Sequence, residues 1–148
     1  MMVYRLTIFL VFLLHSQSFA EKIQFNKSIK PILSNNCFSC HGPDAKVVKG
    51  DLQLHLREKA ISELEKSGER AIVPGNRGES SLWHRITSTD PDEQMPPPES
   101  NHKLNSEEIK TIGQWIDEGA EYQGHWSFQP INPKEGNIDY FIKSKKNL

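Results

Sequence analysis

The pentapeptide Cys37-Phe38-Ser39-Cys40-His41 constrains this chain more than any other feature, and it contains both of the chain's cysteines. Two thiols three positions apart lie on one helical turn, where each can add to one of the two vinyl groups at the edge of a haem. The adjacent imidazole of His41 can then bind the iron. The pattern therefore predicts covalent attachment of one haem c, with Cys37 and Cys40 as anchors and His41 as an iron ligand.

Other uses of a cysteine pair are the alternatives to this interpretation. Two cysteines in an exported protein can form a disulfide, and a C-x-x-C pair near a βαβ pattern indicates a thioredoxin-like redox site. No βαβ pattern surrounds this pair, and neither use explains His41. A structural zinc site needs a second pair of ligands at matching spacing, which the sequence lacks. We therefore favour haem and keep the thiol and zinc interpretations as alternatives.

The first 20 residues have the pattern of a signal peptide. Arg5 precedes an apolar run over residues 6–14, and Ser18 and Ala20 are small residues at the −3 and −1 positions of a cleavage site. The run is shorter than the roughly 20 residues that span a bilayer. We therefore expect cleavage after Ala20 and no stable membrane span afterwards, with an uncleaved anchor as the alternative. A periplasmic or otherwise exported location agrees with the haem box, because Gram-negative bacteria attach c-type haem outside the cytoplasmic membrane.

Composition indicates one small domain with a lean core. A chain of 148 residues has room for one domain of usual size. Hydrophobic residues make up only 36% and the mean hydropathy is −0.60, so a covalent haem would supply apolar volume that the protein lacks. The net charge of −1 leaves no basic surface for nucleic acid.

Apolar periodicity predicts helices on both sides of the haem box. The first covers residues 26–40, with Asn26 as its N-cap and a stop at Gly42-Pro43. In the middle of the chain we expect a short extended piece at 52–54, a helix within 56–66, and a short helix over 81–87 that Ser80 caps.

The best-defined helix follows Asn105. Asn105 and Glu108 form a capping-box pattern, and Gly119 is a plausible C-terminal stop. An apolar stripe runs along this helix, with Trp115 at its edge. Two amphipathic helices flanking a haem box predict a small helical fold.

Met95 is the predicted second iron ligand. It lies in the polar, proline-rich loop 88–103, where no apolar periodicity explains a methionine, and the prolines that follow it stiffen the loop. Four histidines are rival candidates, and His84 and His102 come first among them. The full set is His55, His84, His102 and His125. An open iron site is the last alternative.

The order of these motifs resembles the planctomycete-type cytochrome c domain. The matching pieces are C-x-x-C-H-G-P-D-A, G-x-L-x-L, I-V-P-G-x-x-x-x-S-L, M-P-P-P and E-I-x-x-I-x-x-W-I-D-x-G-A, at residues 37–45, 50–54, 72–82, 95–98 and 108–120. The similarity covers roughly residues 23–122. It implies an all-α, class I cytochrome c-like fold, in which several short helices surround one covalent haem and the N- and C-terminal helices pack across each other.

The resemblance also implies roles for individual residues. Cys37 and Cys40 would be the thioether anchors, His41 the proximal ligand and Met95 the distal ligand. Asp51 departs from the family pattern, in which a second glycine is usual. We expect a backbone carbonyl near Gly50-Asp51 to accept the Nδ1 proton of His41.

The signal-peptide pattern and the resemblance together divide the chain into three parts. We expect a signal peptide at 1–20, a cytochrome c domain at 21–122, and a linker or truncated start of a following domain at 123–148. Family members usually continue into further domains, so the chain resembles the N-terminal part of a longer multidomain protein. A tail that docks on the haem domain through Trp126 and Phe128 is the alternative for the last segment.

The function predicted from this ligand set is one-electron transfer. His/Met ligation leaves no open iron position for a substrate and favours a relatively high reduction potential. We therefore expect an electron-transfer module with redox partner proteins and no enzymatic activity of its own. The alternatives are an electron relay for an attached enzyme whose catalytic domain is absent here, and a haem sensor in which a small ligand displaces Met95.

Overall fold

The computed structural model describes residues 22–124, and this part of the chain is helical. A π-helical turn at Phe25–Ile29 continues into α1 at Lys30–Asn36, and the two together are called the N-terminal helix below. The later elements are α2 at Phe38–His41, α3 at Arg57–Ile61, a 3-10 turn at Arg77–Glu79, α4 at Ser81–Thr87 and α5 at Ser106–Asp117. Residues 22–124 contain no strand, only one isolated antiparallel bridge between Glu63 and Arg70. The predicted all-α fold is confirmed.

The hydrophobic core joins the two ends of the described chain. The N-terminal helix contacts α5, and both contribute to one buried cluster together with residues of the middle segments. Its main members are Phe25, Ile29, Leu33, Leu54, Ile72, Ile112, Trp115 and Ile116. Among the described helices, none is long and apolar enough to cross a membrane.

Trp115, which the sequence places at the edge of the apolar stripe of α5, is fully buried in this core. The side chain is only 1% exposed. Its indole Nε1–H donates to the carbonyl oxygen of Glu121 at 3.1 Å, which satisfies the polar end of the ring without water. The periodicity of α5 could not show this bond, because the acceptor lies beyond the end of the helix.

The predicted N-cap at Asn26 was also wrong. The helix begins at Phe25, and Gln24 is its N-cap residue. Asn26 instead bonds to the C-terminal segment: its backbone N–H donates to Oε1 of Gln123 and its Nδ2 donates to the carbonyl of Gly124, both at 2.9 Å. A long-range contact therefore uses the side chain that local capping rules assigned to the helix start.

The middle of the chain has less regular structure than the sequence predicts. The helix expected within 56–66 is limited to α3, and no strand forms at 52–54. After α3 the chain reverses through an exposed hairpin, which the bridge and a 3.0 Å ion pair between Arg70 and Glu63 close. Side chain and backbone bonds across this hairpin thus replace the last turns of the predicted helix.

Helix α4 has the predicted bounds, but Ser80 acts differently from a cap. Its side chain makes no cap hydrogen bond. The buried hydroxyl accepts from the backbone N–H of Val73 at 2.9 Å and donates to the carbonyl of Asn76 at 2.9 Å. Ser80 therefore closes the 73–80 loop, while Leu82 and Ile86 of α4 are buried in the core.

Helix α5 begins and ends as the sequence predicts. The Asn105 side chain accepts from the backbone N–H of Glu107 and Glu108, and Glu108 Oε2 accepts in return from the Asn105 N–H at 2.8 Å. At the other end, Gly119 has φ +102°. The N–H of Gly119 donates to Ile116 and that of Ala120 to Trp115, which is the Schellman arrangement.

Replacing Asn105 by alanine should lower the free energy of unfolding by about 1 kcal/mol, because two N–H groups at the start of α5 lose their acceptor. The midpoint of urea unfolding measures this loss. Asn101→Ala, at an exposed position in the preceding loop, is the control and should leave the midpoint nearly unchanged. Equal effects of the two variants would contradict the capping assignment.

Gly42→Ala should destabilise the protein by about 1–3 kcal/mol, the usual cost of overpacking. A Cβ at Gly42 would overlap the carbonyl oxygen of Phe38 and lie 2.7 Å from its Cβ, and backbone atoms cannot move aside easily. Gly78→Ala is the control, since its nearest neighbour is a side-chain atom of Asn76 at 3.3 Å. Thermal unfolding should show the larger loss for Gly42→Ala, and the reverse order would refute this packing argument.

Candidate cofactor site

One cavity of about 530 Å³ brings the four predicted site residues together. This volume lies in the range of roughly 300–1,000 Å³ that is usual for small-molecule and cofactor sites. Cys37, Cys40 and His41 line it from one part of the chain, and Met95 lines it from another. The fold therefore places a methionine and the haem box around the same space.

The haem box consists of Cys37, which follows the end of α1, and the four residues of α2. The chain leaves α1 at Cys37, whose φ of −125° breaks the helical geometry. The carbonyl of Cys37 then accepts from the N–H groups of Cys40 and His41, at 3.1 and 2.8 Å. Gly42 ends α2 in an extended conformation, as predicted. This turn holds both thiols and the imidazole within a single helical turn.

The two cysteines are not paired, and Cys37 lacks the acidity of a redox-active thiol. Both are free thiols in the structure. Burial raises the pKa of Cys37 to about 12, whereas reactive cysteines in C-x-x-C sites have a lowered pKa. Within residues 22–124, no group of three or more His, Cys, Asp or Glu side chains could hold a metal ion. The geometry of the described residues thus gives no support to the thioredoxin-like and zinc alternatives.

The environment of His41 favours a neutral imidazole. Burial lowers the pKa of His41, and the positive charges of Lys49 and Arg85 lower it further. The backbone groups of Lys49 and Leu52 act in the opposite direction, but the net shift is downward. Neutral imidazole is the form that binds a metal, so the site keeps His41 ready to act as a ligand.

The Nδ1 atom of His41 is buried and has no hydrogen-bond partner. No carbonyl meets hydrogen-bond geometry with Nδ1, although the backbone of Lys49 and Leu52, on either side of the predicted Gly50-Asp51 position, acts on the ring as a hydrogen-bond partner. Both residues have positive φ, +63° and +57°, so the chain reverses sharply there. Aspartate tolerates this conformation better than most residues, which explains how Asp51 can occupy a position where glycine is usual. The backbone groups that act on His41 are those on either side of the turn, at Lys49 and Leu52.

Met95 reaches the cavity from the loop between α4 and α5. Its backbone N–H donates to the carbonyl of Arg85 at 3.0 Å, which ties the loop to α4. Pro96 and Pro97 follow it along the cavity wall, and the Met95–Pro96 peptide is cis. The side chain is half-buried. Both α4 and the prolines therefore restrict the part of the loop that carries the thioether.

The structure separates the rival histidines. His102 lines the cavity and stays a competitor of Met95. His84 does not line it, and its Nε2 is hydrogen-bonded to the carbonyl of Gly78 at 2.8 Å. His55 lies outside the lining and stands edge-on to Phe38, with a ring distance of 6.2 Å. His125 lies outside the described residues.

Sequence reasoning missed two parts of the cavity wall. Arg85 lines the cavity, and its position three residues after Leu82 on α4 could have placed it on the same face. The hairpin after α3 contributes Leu64 and Lys66. No local signal marks those two residues, because a loop and not a periodic helix brings them to the site.

The residues present fit a covalent haem. Two free thiols and a neutral imidazole share one turn, and a thioether enters the same cavity from a separate loop. The unpaired Nδ1 of His41 is a buried polar atom of the kind that calls for an explanation. Its other ring nitrogen is the one that a metal would take.

Comparison with known proteins gives one match. Residues 37–99 match the family described as Planctomycete cytochrome C. No curated protein and no solved structure gives a significant match to the chain.

The matched region includes the haem box, the loop after it and Met95, while α5 lies beyond it. Cytochrome c domains bind haem c, so haem is the cofactor that the match implies. The match over residues 37–99 supports the resemblance to the planctomycete-type cytochrome c domain that the sequence predicts.

Proposed function

We propose that this domain binds one haem c covalently and transfers single electrons, with His41 and Met95 as the two axial ligands. The observation that carries the proposal is the convergence of four residues on one cavity. Cys37 and Cys40 supply the thiols, and His41 and Met95 supply the imidazole and the thioether. All four lie within the region that matches the cytochrome c family.

Each residue has a distinct task in this proposal. The turn at Cys37 presents both thiols to one edge of the cofactor, and it holds the neutral imidazole of His41 beside them. The hydrogen bond from the Met95 N–H to the Arg85 carbonyl orders the loop between α4 and α5 before ligation. Less conformational entropy is therefore lost when the weak thioether ligand binds. The bound haem would supply the one-electron redox chemistry.

The same ligand set favours electron transfer over catalysis. With His41 and Met95 both bound to a haem iron, no position would be left for a substrate, and both residues would stay bound in either oxidation state. We therefore propose redox proteins as the partners and an exported, periplasmic location. The signal-peptide pattern supports the location, although residues 1–20 lie outside the described part of the chain.

Two other functions can be tested on the same haem-loaded protein. A haem sensor would bind carbon monoxide in the reduced state at neutral pH, because a small ligand would displace Met95. A relay for an attached enzyme would share the haem site and differ only in its partner. The contacts of Met95 favour the electron-transfer module, since they restrict the loop that a sensor would need to release.

Covalent haem is the first expected result. The protein matured in a periplasmic c-haem expression system should carry one haem that survives denaturation, detected by mass and by the pyridine haemochrome spectrum. Replacing both Cys37 and Cys40 by alanine should remove it, because no thioether can form. Ser39→Ala, within the same box, is the control and should keep the haem. Wild-type protein without covalent haem would refute the proposed function.

Met95→Ala should abolish the weak long-wavelength absorption band of Met–Fe(III) bonding, lower the reduction potential and allow carbon monoxide to bind. The reason is that the loss of the thioether removes one axial ligand and destabilises the reduced state. His102→Ala is the matched control at the same cavity and should keep the band. A band that persists in Met95→Ala and disappears in His102→Ala would assign the ligand to His102.

A further inference from the structure

Tyr122 connects the C-terminal end of the described chain to the core. Its ring packs on Phe25 with a centroid distance of 4.3 Å and lies 5.3 Å from the ring of Trp115. Phe25, Trp115 and Tyr122 are called the aromatic cluster below. Burial raises the pKa of Tyr122, so its hydroxyl stays protonated and available as a donor. Tyr122 lies outside the region matched to the cytochrome c family.

The hydroxyl of Tyr122 reaches away from this cluster to the wall of the cavity. It donates to the carbonyl oxygen of Leu54 at 3.1 Å. The N–H of the same residue, Leu54, donates to the carbonyl of His41 at 2.8 Å. Leu54 is buried and lines the cavity. Two consecutive hydrogen bonds therefore link Tyr122 to the backbone of the residue that supplies the imidazole.

Leu54 also ends the loop that faces the unpaired nitrogen of His41. The loop over residues 49–54 is fixed at its start, where the N–H of Lys49 donates to the carbonyl of Cys40 at 2.9 Å. It is fixed at its end through Leu54. The backbone of Lys49 and Leu52, both in this loop, acts on the imidazole as a hydrogen-bond partner, although neither contact meets hydrogen-bond geometry with Nδ1. The position of the loop therefore sets how well a carbonyl can accept the Nδ1 proton.

We propose that Tyr122 is a positioning residue for His41, because through Leu54 it holds the 49–54 loop, whose backbone at Lys49 and Leu52 lies beside the imidazole and would accept the Nδ1 proton in the haem-loaded protein. This inference rests on the proposed haem function. A hydrogen bond from Nδ1–H makes the imidazole a stronger donor to iron. A stronger donor stabilises the oxidised state and lowers the reduction potential. Loss of the Tyr122 hydroxyl should therefore raise the potential.

Tyr122→Phe in the haem-loaded protein tests this role. The substitution keeps the ring and its packing but removes the donor to Leu54. We expect the oxidation equilibrium to shift toward the reduced state by about tenfold, the lower limit of the usual effect of outer-shell changes. Tenfold corresponds to about 59 mV for one electron. Covalent haem and the Met95 band should be unchanged.

Phe25→Leu is the matched control, because it disturbs the aromatic cluster and leaves the Tyr122–Leu54 hydrogen bond in place. It should lower the stability of the protein more than Tyr122→Phe does, with the potential near that of wild type. A wild-type potential in Tyr122→Phe would overturn the positioning role alone, and so would an equal shift in Phe25→Leu. Wild-type protein without covalent haem would instead overturn the proposed function from which this role follows.

Discussion

The contact between the N-terminal helix and α5 is the interaction on which the rest of the described structure depends. Phe25 and Trp115, with ring centroids 5.7 Å apart, join the two ends of this part of the chain. The segments between them contain only short helices and turns, which could not bury an apolar face on their own. Because the N-terminal helix and α5 pack together, the segments between them surround the cavity. The haem box and the loop that carries Met95 then line the same space.

The parts of the fold that could be predicted from the sequence are those that local chemistry decides. The capping box at Asn105 and the stop at Gly119 follow from backbone groups within one turn, and both are present as predicted. The role of Asn26 was wrong for the opposite reason, because its partner Gln123 lies outside its helix. The bond from Trp115 to Glu121 was not predicted for the same reason. Periodicity carries no information about bonds of that kind.

The candidate site shows the same division. The haem box could be predicted because its chemistry lies within five consecutive residues. The choice between His84 and His102 could not, since it depends on a bond from His84 to Gly78 and on the path of a loop. The low hydrophobic content and the cavity are consistent with each other, because a domain with few apolar residues would gain apolar volume from a cofactor held in the cavity.

The hydrogen bonds near Asn26 also determine where the two ends of the described chain lie. Ile23 donates to Glu118 at 2.7 Å, and Asn26 bonds to Gln123 and Gly124. The points where the polypeptide enters and leaves residues 22–124 are thus side by side. A segment joined to either end would therefore begin on the same side of residues 22–124.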